Sequence, residues 1–224
     1  MAFMKTNTVT ITVDGVSYDS LQDLGLAIHN TDPIGTPVQG QMNLAYVPGH
    51  NGPVDTTEAV FGEQYFQSRP ILIEFGGIEA PEDWDAFIAD IRNKFEGKLV
   101  RVEFATLPGW YFKGRCSIED YSRKQALGTF TFAMNNADPY MYRDISVDLV
   151  STAAGITYTA EVTRKTVVPT ITTSAIIVIT LNGETYTFDA GTHRDMEFRL
   201  QQGDNVLTIT GAATVNISYT DGSL

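Results

Sequence analysis

Three histidines, one cysteine and two local groups of carboxylates are the obvious reactive side chains of this 224-residue chain. His29, His50 and His193 are far apart in sequence, each in a polar, turn-like stretch. A nucleophile–histidine–carboxylate set needs hydrogen-bond reach between its members and is often announced by a local signature such as GxSxG; no such signature occurs. Cys116 alternates in register with Phe112 and Ile118, so it reads as a buried, inert thiol. A nucleophilic cysteine would need exposure and positive neighbours. A single cysteine also excludes a disulfide framework and every multi-cysteine metal site. Paired carboxylates could hydrolyse a glycoside. One group, Glu79, Glu82, Asp83 and Asp85, stands where a helix N-terminus favours negative charge. The other, Glu119-Asp120, sits at a strand end before Ser122-Arg123-Lys124, which reads as a charged turn. Calcium-loop, HExxH, P-loop and GxGxxG patterns are all missing from the sequence. No catalytic residue, metal or cofactor is expected, and the chain is read as a non-enzyme.

Composition narrows the alternatives. Fifteen basic against 27 acidic residues leave a net charge of −12, and nucleic-acid grips depend on clustered lysine and arginine. The longest apolar run, Ala175 to Ile179, is far short of the roughly 18 residues of a membrane span. The opening MAFMKTNTVT carries no long apolar stretch, so the mature protein is expected to begin there.

The elements that would position these groups are mainly strands. Val9, Ile11 and Val13 alternate with threonines, Asp14-Gly15 supplies a tight turn, and Val16-Ser17-Tyr18 returns. Further alternations run through Ile71–Phe75, Val100–Phe104 (with Arg101 and Glu103 facing the other way), Trp110–Ile118 and Phe130–Met134. One prominent helix is predicted over 81–96. Its stripe is Trp84, Phe87, Ile88, Ile91 and Phe95, which should pack on a sheet as core. Pro81 suits its first turn and Gly97 its end. Between 28 and 70, prolines and glycines break the periodicity, and a long irregular segment of this kind points to an extension that packs on a neighbour.

Near residues 138–150 the texture changes to short, threonine-rich strands. Tyr158-Ala160-Val162, Ile177–Leu181 with Asn182-Gly183 and Tyr186-Phe188, Met196-Phe198-Leu200, Leu207-Ile209 and Val215–Tyr219 read as a small β-sandwich. The expected organisation is an α+β domain over 1–143 and a mainly-β sandwich over 144–224. Tyr158, Tyr186 and Tyr219 are candidate sugar platforms on the sandwich, although each also fits an inward position.

The order of elements over residues 1–143 resembles the N-terminal domain of siphophage distal tail proteins. Four pieces carry this: TVTITVDGVSYDS with Leu24-Gly25-Leu26; VPGHNGPVD; the series ILIEFGG, PEDWDAFIADIRNKF and KLVRVEF; and LPGWYFKGRCSIEDY followed by TFTFAMNNADPYMYR. His50-Asn51 stands between two glycines where many family members carry Arg-Asp. The closing QQGDNVLTITGAATVNISYTDGSL is similar to the final hairpin of the galectin-like sandwiches on the same proteins. The resemblance implies a structural protein of the virion, assembled in the host cytoplasm. It would be a six-fold ring at the tail tip, between the tail tube and a tail-associated hub or fibre protein, with receptor-binding components beyond and a channel for DNA. No specific nucleic-acid contact and no membrane insertion are implied. An acidic chain suits such a conduit, because positive clusters would hold phosphates. Head-to-tail closure of a ring needs two different patches per subunit; Val47, Pro48, Gly49, His50, Asn51, Gly52 and Pro53, in the 38–55 extension, are the candidates for one. The competing readings are a glycan-binding baseplate or adhesin sandwich and, behind it, a carboxylate-pair hydrolase.

Overall fold

The computed structural model describes residues 8–30, 37–61, 64–78, 83–124 and 127–224. Glu79, Pro81 and Glu82 lie outside them. Between Pro139 and Tyr140 the chain divides into two compact units, and the whole is mainly β, built on antiparallel ladders, with 18 strands against two helices among the described residues.

The first unit contains β1 (Val9–Val13), β2 (Val16–Asp19), β3 (Leu26–Asn30), β4 (Leu44–Ala45), β5 (Val54–Asp55), α1 (Thr57–Phe61), β6 (Arg69–Ile78), α2 (Trp84–Phe95), β7 (Leu99–Phe104), β8 (Tyr111–Arg115), β9 (Ser117–Lys124) and β10 (Leu127–Ala137). One sheet contains the run β2-β1-β7-β8, and a second is β3-β6-β10-β9. The β1–β2 turn uses Asp14 and Gly15, both at positive φ (52° and 80°). This is the backbone a two-residue hairpin needs to match strand twist. Cys116 lies between β8 and β9, where the chain passes from the first sheet to the second.

Helix α2 buries Trp84, Ile88, Ile91 and Phe95, while Phe87 is half-buried and stacks on Trp84 at 5.2 Å. Phe95 meets Tyr18 of the first sheet edge-on (5.7 Å) and Phe132 of the second (5.6 Å), so the helix C-terminus reaches both sheets. The helix ends at Gly97, whose φ of +71° lets the chain turn away. At the other end, Trp84 rests on two glycines that face each other across β6 and β10, Gly77 and Gly128. The bare backbone there is the seat of the indole. Tyr121 covers its other side, stacked at 6.1 Å. The β9–β10 register shifts between the pairs Thr129–Ser122 and Thr131–Glu119, and Asp120 takes φ +50°. This bulge accompanies the turn of Tyr121 onto Trp84, and bulges characteristically re-aim a side chain in this way. The Tyr121 hydroxyl then donates to Asp85 (2.8 Å), and Arg123 approaches the same carboxylate (3.6 Å). Glu119-Asp120 is therefore not at a strand end: it lies inside β9, and the residues read as a charged turn continue the strand as far as Lys124.

The second unit contains β11 (Met141–Ser151), β12 (Ile156–Val162), β13 (Thr170–Thr173), β14 (Ile177–Leu181), β15 (Glu184–Phe188), β16 (Gly191–His193), β17 (Gly203–Thr210) and β18 (Ala213–Ser223). Strands β16-β13-β18-β11 form one layer and β12-β17-β14-β15 the other. Alternate residues of both layers, including Ile171, Ile217, Ile179, Leu207 and Phe188, fill one core. The Asn182-Gly183 turn takes the same double positive φ (53° and 85°). Asp221, fully buried on β18, accepts from the Thr163 amide (2.8 Å) and hydroxyl (2.7 Å) and pairs with Arg143 (3.0 Å). A buried carboxylate satisfied from two other segments fixes their register, because removing any partner strands a charge.

The strand expected at Met196–Leu200 is not formed. Phe198 and Leu200 are buried around an exposed Arg199, while Met196, expected to share their face, is exposed, so the alternation covers only 198–200. However, the Glu197 amide donates to the Asp195 side chain (2.9 Å) and Arg199 Nε to the Met196 carbonyl (2.7 Å). Only Leu200 pairs in strand fashion, as a single bridge to Val167.

Candidate assembly interface

The segment expected to be irregular, 28–70, contains an antiparallel arm. At its base Gly40 bridges Phe66, the Gln41 amide donates to the Tyr65 carbonyl (2.8 Å) and the Gln67 amide to that of Gln39 (2.8 Å). Further out β4 pairs with β5 through Leu44–Asp55 and Ala45–Val54. The short α1 enters between these two rungs. Its start is stitched to the arm: Thr56 donates both amide (2.9 Å) and hydroxyl (3.0 Å) to the Asn43 carbonyl, and the Asn43 amide donates to Thr57 Oγ1 (2.8 Å). Asp55 accepts from the Thr57 hydroxyl (2.6 Å) and amide (2.9 Å), which holds its carboxyl below the usual range. The letters Asp-Thr-Thr-Glu at 55–58 are a helix-start signal that a reading for long periodic stripes passes over.

The tip comprises Val47, Pro48, Gly49, His50, Asn51, Gly52 and Pro53, and every one of these is exposed. The His50 amide donates to the Val47 carbonyl (3.1 Å). Pro48 pre-sets the first central position of this turn and Gly49 (φ +85°) supplies the positive dihedral of the second, the chemistry of a type II turn. His50 Nδ1 donates to the Gly52 carbonyl (3.2 Å), so this imidazole braces the loop. Along its length, from base to tip, the arm with its short helix displays Met42, Leu44, Tyr46, Val47, Val60 and Tyr65, with Tyr46 81% exposed. An apolar set of this kind on one projecting hairpin is what a protein–protein contact uses.

The other candidate residues are scattered. His29 is exposed on β3, and His193 Nε2 donates to the Asp189 carbonyl (2.7 Å). Cys116 is buried, and burial, with Glu96 and Glu119 nearby, pushes its thiol far up. Asp85 is taken by Tyr121 and Arg123, and Glu119 accepts from Ser117 (2.5 Å) and Asn135 (2.6 Å). Among the described residues no group of three His, Cys, Asp or Glu is placed to hold a metal ion. Tyr219 is in the sandwich core with its hydroxyl donating to the Glu161 carbonyl (3.0 Å), and Tyr158 packs against that core. Tyr186 is half-buried, edge-on to Phe198 (5.0 Å), and donates to Glu184 (2.6 Å).

No protein-family model matches the chain, and no curated protein matches it in sequence. Its architecture does have a solved counterpart. The crystal structure of the SPP1 Dit protein (gp 19.1), described as a paradigm of hub adsorption apparatus in phages that infect Gram-positive bacteria, matches at a TM-score of 0.64 and 16% identity. The match covers 95% of this chain and 98% of that one, so the fold agrees with the distal-tail resemblance carried by the sequence motifs.

Proposed function

We propose that this protein is a structural hub of a long, non-contractile phage tail, a distal tail component whose copies close into a ring, expected to be six-fold. The observation that carries the reading is the fold correspondence over nearly the whole length of both chains with a protein described as an adsorption-apparatus hub. The exposed apolar arm supports it as one of the two patches that a head-to-tail ring requires. In this reading the ring joins the tail tube to the tail-associated hub or fibre protein, and the sandwich over 144–224 projects outward towards receptor-binding components. The net charge of −12 lets DNA pass through the channel without being held. No residue is assigned a catalytic role, and the function is geometric. The test is light scattering with negative-stain imaging of the purified full chain. A closed ring of about six copies is expected. A monomer at high concentration, together with virions whose tail tips are complete without this protein, would refute the reading.

A further inference from the structure

The chain contains two Asn-Gly dipeptides, Asn51-Gly52 at the tip of the arm and Asn182-Gly183 in the β14–β15 turn. In this dipeptide an asparagine carboxamide is readily attacked by its own main chain, because glycine has no Cβ to shield the attacking nitrogen. The attack closes a five-membered ring. The glycine nitrogen must swing onto Cγ of the asparagine, which requires rotation about the asparagine Cα–C bond.

The fold holds the two dipeptides differently. Both asparagines are exposed, so access to water does not separate them. Asn182 and Gly183 are the central residues of a tight turn (φ 53° and 85°), closed directly by the Leu181–Glu184 pair with Thr180–Thr185 behind it. Rotation at Asn182 pulls the two strands apart, so the ring closes there only after the hairpin has opened. Asn51 lies instead in the longer loop 46–53, whose nearest rung is the Ala45–Val54 pair. The hydrogen bonds of this loop, from the His50 amide to Val47 and from His50 Nδ1 to Gly52, bypass the reacting atoms. Among the described residues, neither the Asn51 carboxamide nor the Gly52 amide has a hydrogen-bond partner. A Cβ built on Gly52 meets nothing within 4 Å, so the space around it is open.

We infer that Asn51-Gly52 is a self-modification site, where the chain converts its own arm tip from asparagine to aspartate and isoaspartate with water as the only co-reactant. The Gly52 nitrogen bonds to Asn51 Cγ. The Cγ–Nδ2 bond breaks, and ammonia leaves with the proton lost by the Gly52 amide. Water then opens the ring at either of its carbonyls. Opening at Cγ gives aspartate. Opening at the main-chain carbonyl gives isoaspartate, whose backbone runs through the former side chain and is one carbon longer. Nothing is oxidised or reduced. Either product carries a negative charge at neutral pH, and residues 37–68 contain no lysine or arginine to offset it. The lengthened backbone falls between His50 and Gly52, the residues that the imidazole braces. Ageing of the free chain therefore changes both the charge and the shape of the tip. This inference goes beyond the ring reading and does not rest on it.

The test incubates the full chain in dilute solution at mildly alkaline pH, then digests it with a chymotrypsin-like protease. One mass-spectrometric run reads both dipeptides, and chromatography separates isoaspartate from aspartate. Asn51 should convert at least about tenfold faster than Asn182, because only Asn182 waits for local opening of a hairpin. In urea the two rates should converge. Asn51→Gln, which needs a larger ring, should keep its amide over the same period. Circular dichroism checks that the incubated chains remain folded. If Asn51 and Asn182 convert equally in the folded chain, or Asn51 stays intact there while converting in urea, the fold does not select the site and the inference is overturned. Conversion of Asn51 to aspartate with no isoaspartate would also overturn it, because the ring opens at both carbonyls.

Discussion

Replacing Gly128 with alanine adds one methyl group where the structure has no room for it. A Cβ built there falls 2.0 Å from Cε2 and 2.1 Å from Cζ2 of Trp84, well inside van der Waals contact. The indole cannot simply move aside, because Phe87 and Tyr121 are stacked against it. Its ring nitrogen has no hydrogen-bond partner, so packing holds it in place. Overpacking of this kind costs roughly 1–3 kcal/mol, and expelling the tryptophan altogether costs about 3–5 kcal/mol. Against this, alanine in a strand gains about 0.5–1 kcal/mol over glycine from the unfolded chain. The expected net loss is about 3 kcal/mol. Gly76 is an internal control, since it lies in β6 next to Gly77 and a Cβ there meets nothing within 4 Å. Gly76→Ala should be neutral or slightly stabilising. Urea unfolding followed by near-UV circular dichroism measures both. In a Trp84→Leu background the cost of Gly128→Ala should fall below about 1 kcal/mol, because the clashing partner is gone. Equal stability of Gly128→Ala and Gly76→Ala in the otherwise native chain would refute the seat as described.

Asp221→Ala should cost about 2–3 kcal/mol in thermal unfolding, since it removes the buried carboxylate that accepts from the Thr163 amide and hydroxyl and pairs with the half-exposed Arg143. In alkaline titration followed by phenolate absorbance, Tyr186 should ionise only at about 12, raised first by its hydrogen bond to Glu184, then by burial and the nearby carboxylates of Glu184, Asp195 and Glu197. Glu184→Gln should bring it back towards about 10. Tyr219 is raised as well, mainly by burial, so both phenols favour the folded state while neutral. Their contribution is intact below about pH 10 and is lost as pH rises through their higher folded values, so the sandwich should melt progressively lower from there. Replacing residues 46–53 with Asn-Gly should abolish assembly, measured by light scattering, while the melting temperature stays within about 2 °C, because that tip is exposed.

Period-2 and period-3.6 patterns are legible in the sequence because they depend on side chains a few residues apart. The β1–β2 and β14–β15 hairpins and the α2 stripe are of this kind. What escaped such reading depends on contacts between distant segments. Glycines 77 and 128 look like ordinary strand glycines until the long separation between them closes under an indole. The Phe198–Leu200 alternation misleads because burial alternates there while local hydrogen bonds, from the Glu197 amide to Asp195 and from Arg199 to the Met196 carbonyl, take the backbone out of the ladder. The arm was legible as a departure from the domain's periodicity, and its turn residues mark the tip. Its two-stranded base was not, since β4 and β5 are two residues each and show no alternation. For the tyrosines, the strand phase placed them inward, and the structure adds that each hydroxyl with a described partner is satisfied within the sandwich.

The absence of positive side chains from the arm also affects how the molecule is digested. Between Lys5 and Arg69 there is no cleavage point for a trypsin-like protease, and Pro70 blocks the bond after Arg69, so the next one follows Arg92. A projecting hairpin is ordinarily the first part of a protein to be nicked. This one offers such enzymes nothing to cut, so its exposed tip survives them intact, whereas a chymotrypsin-like enzyme meets Tyr46 at once.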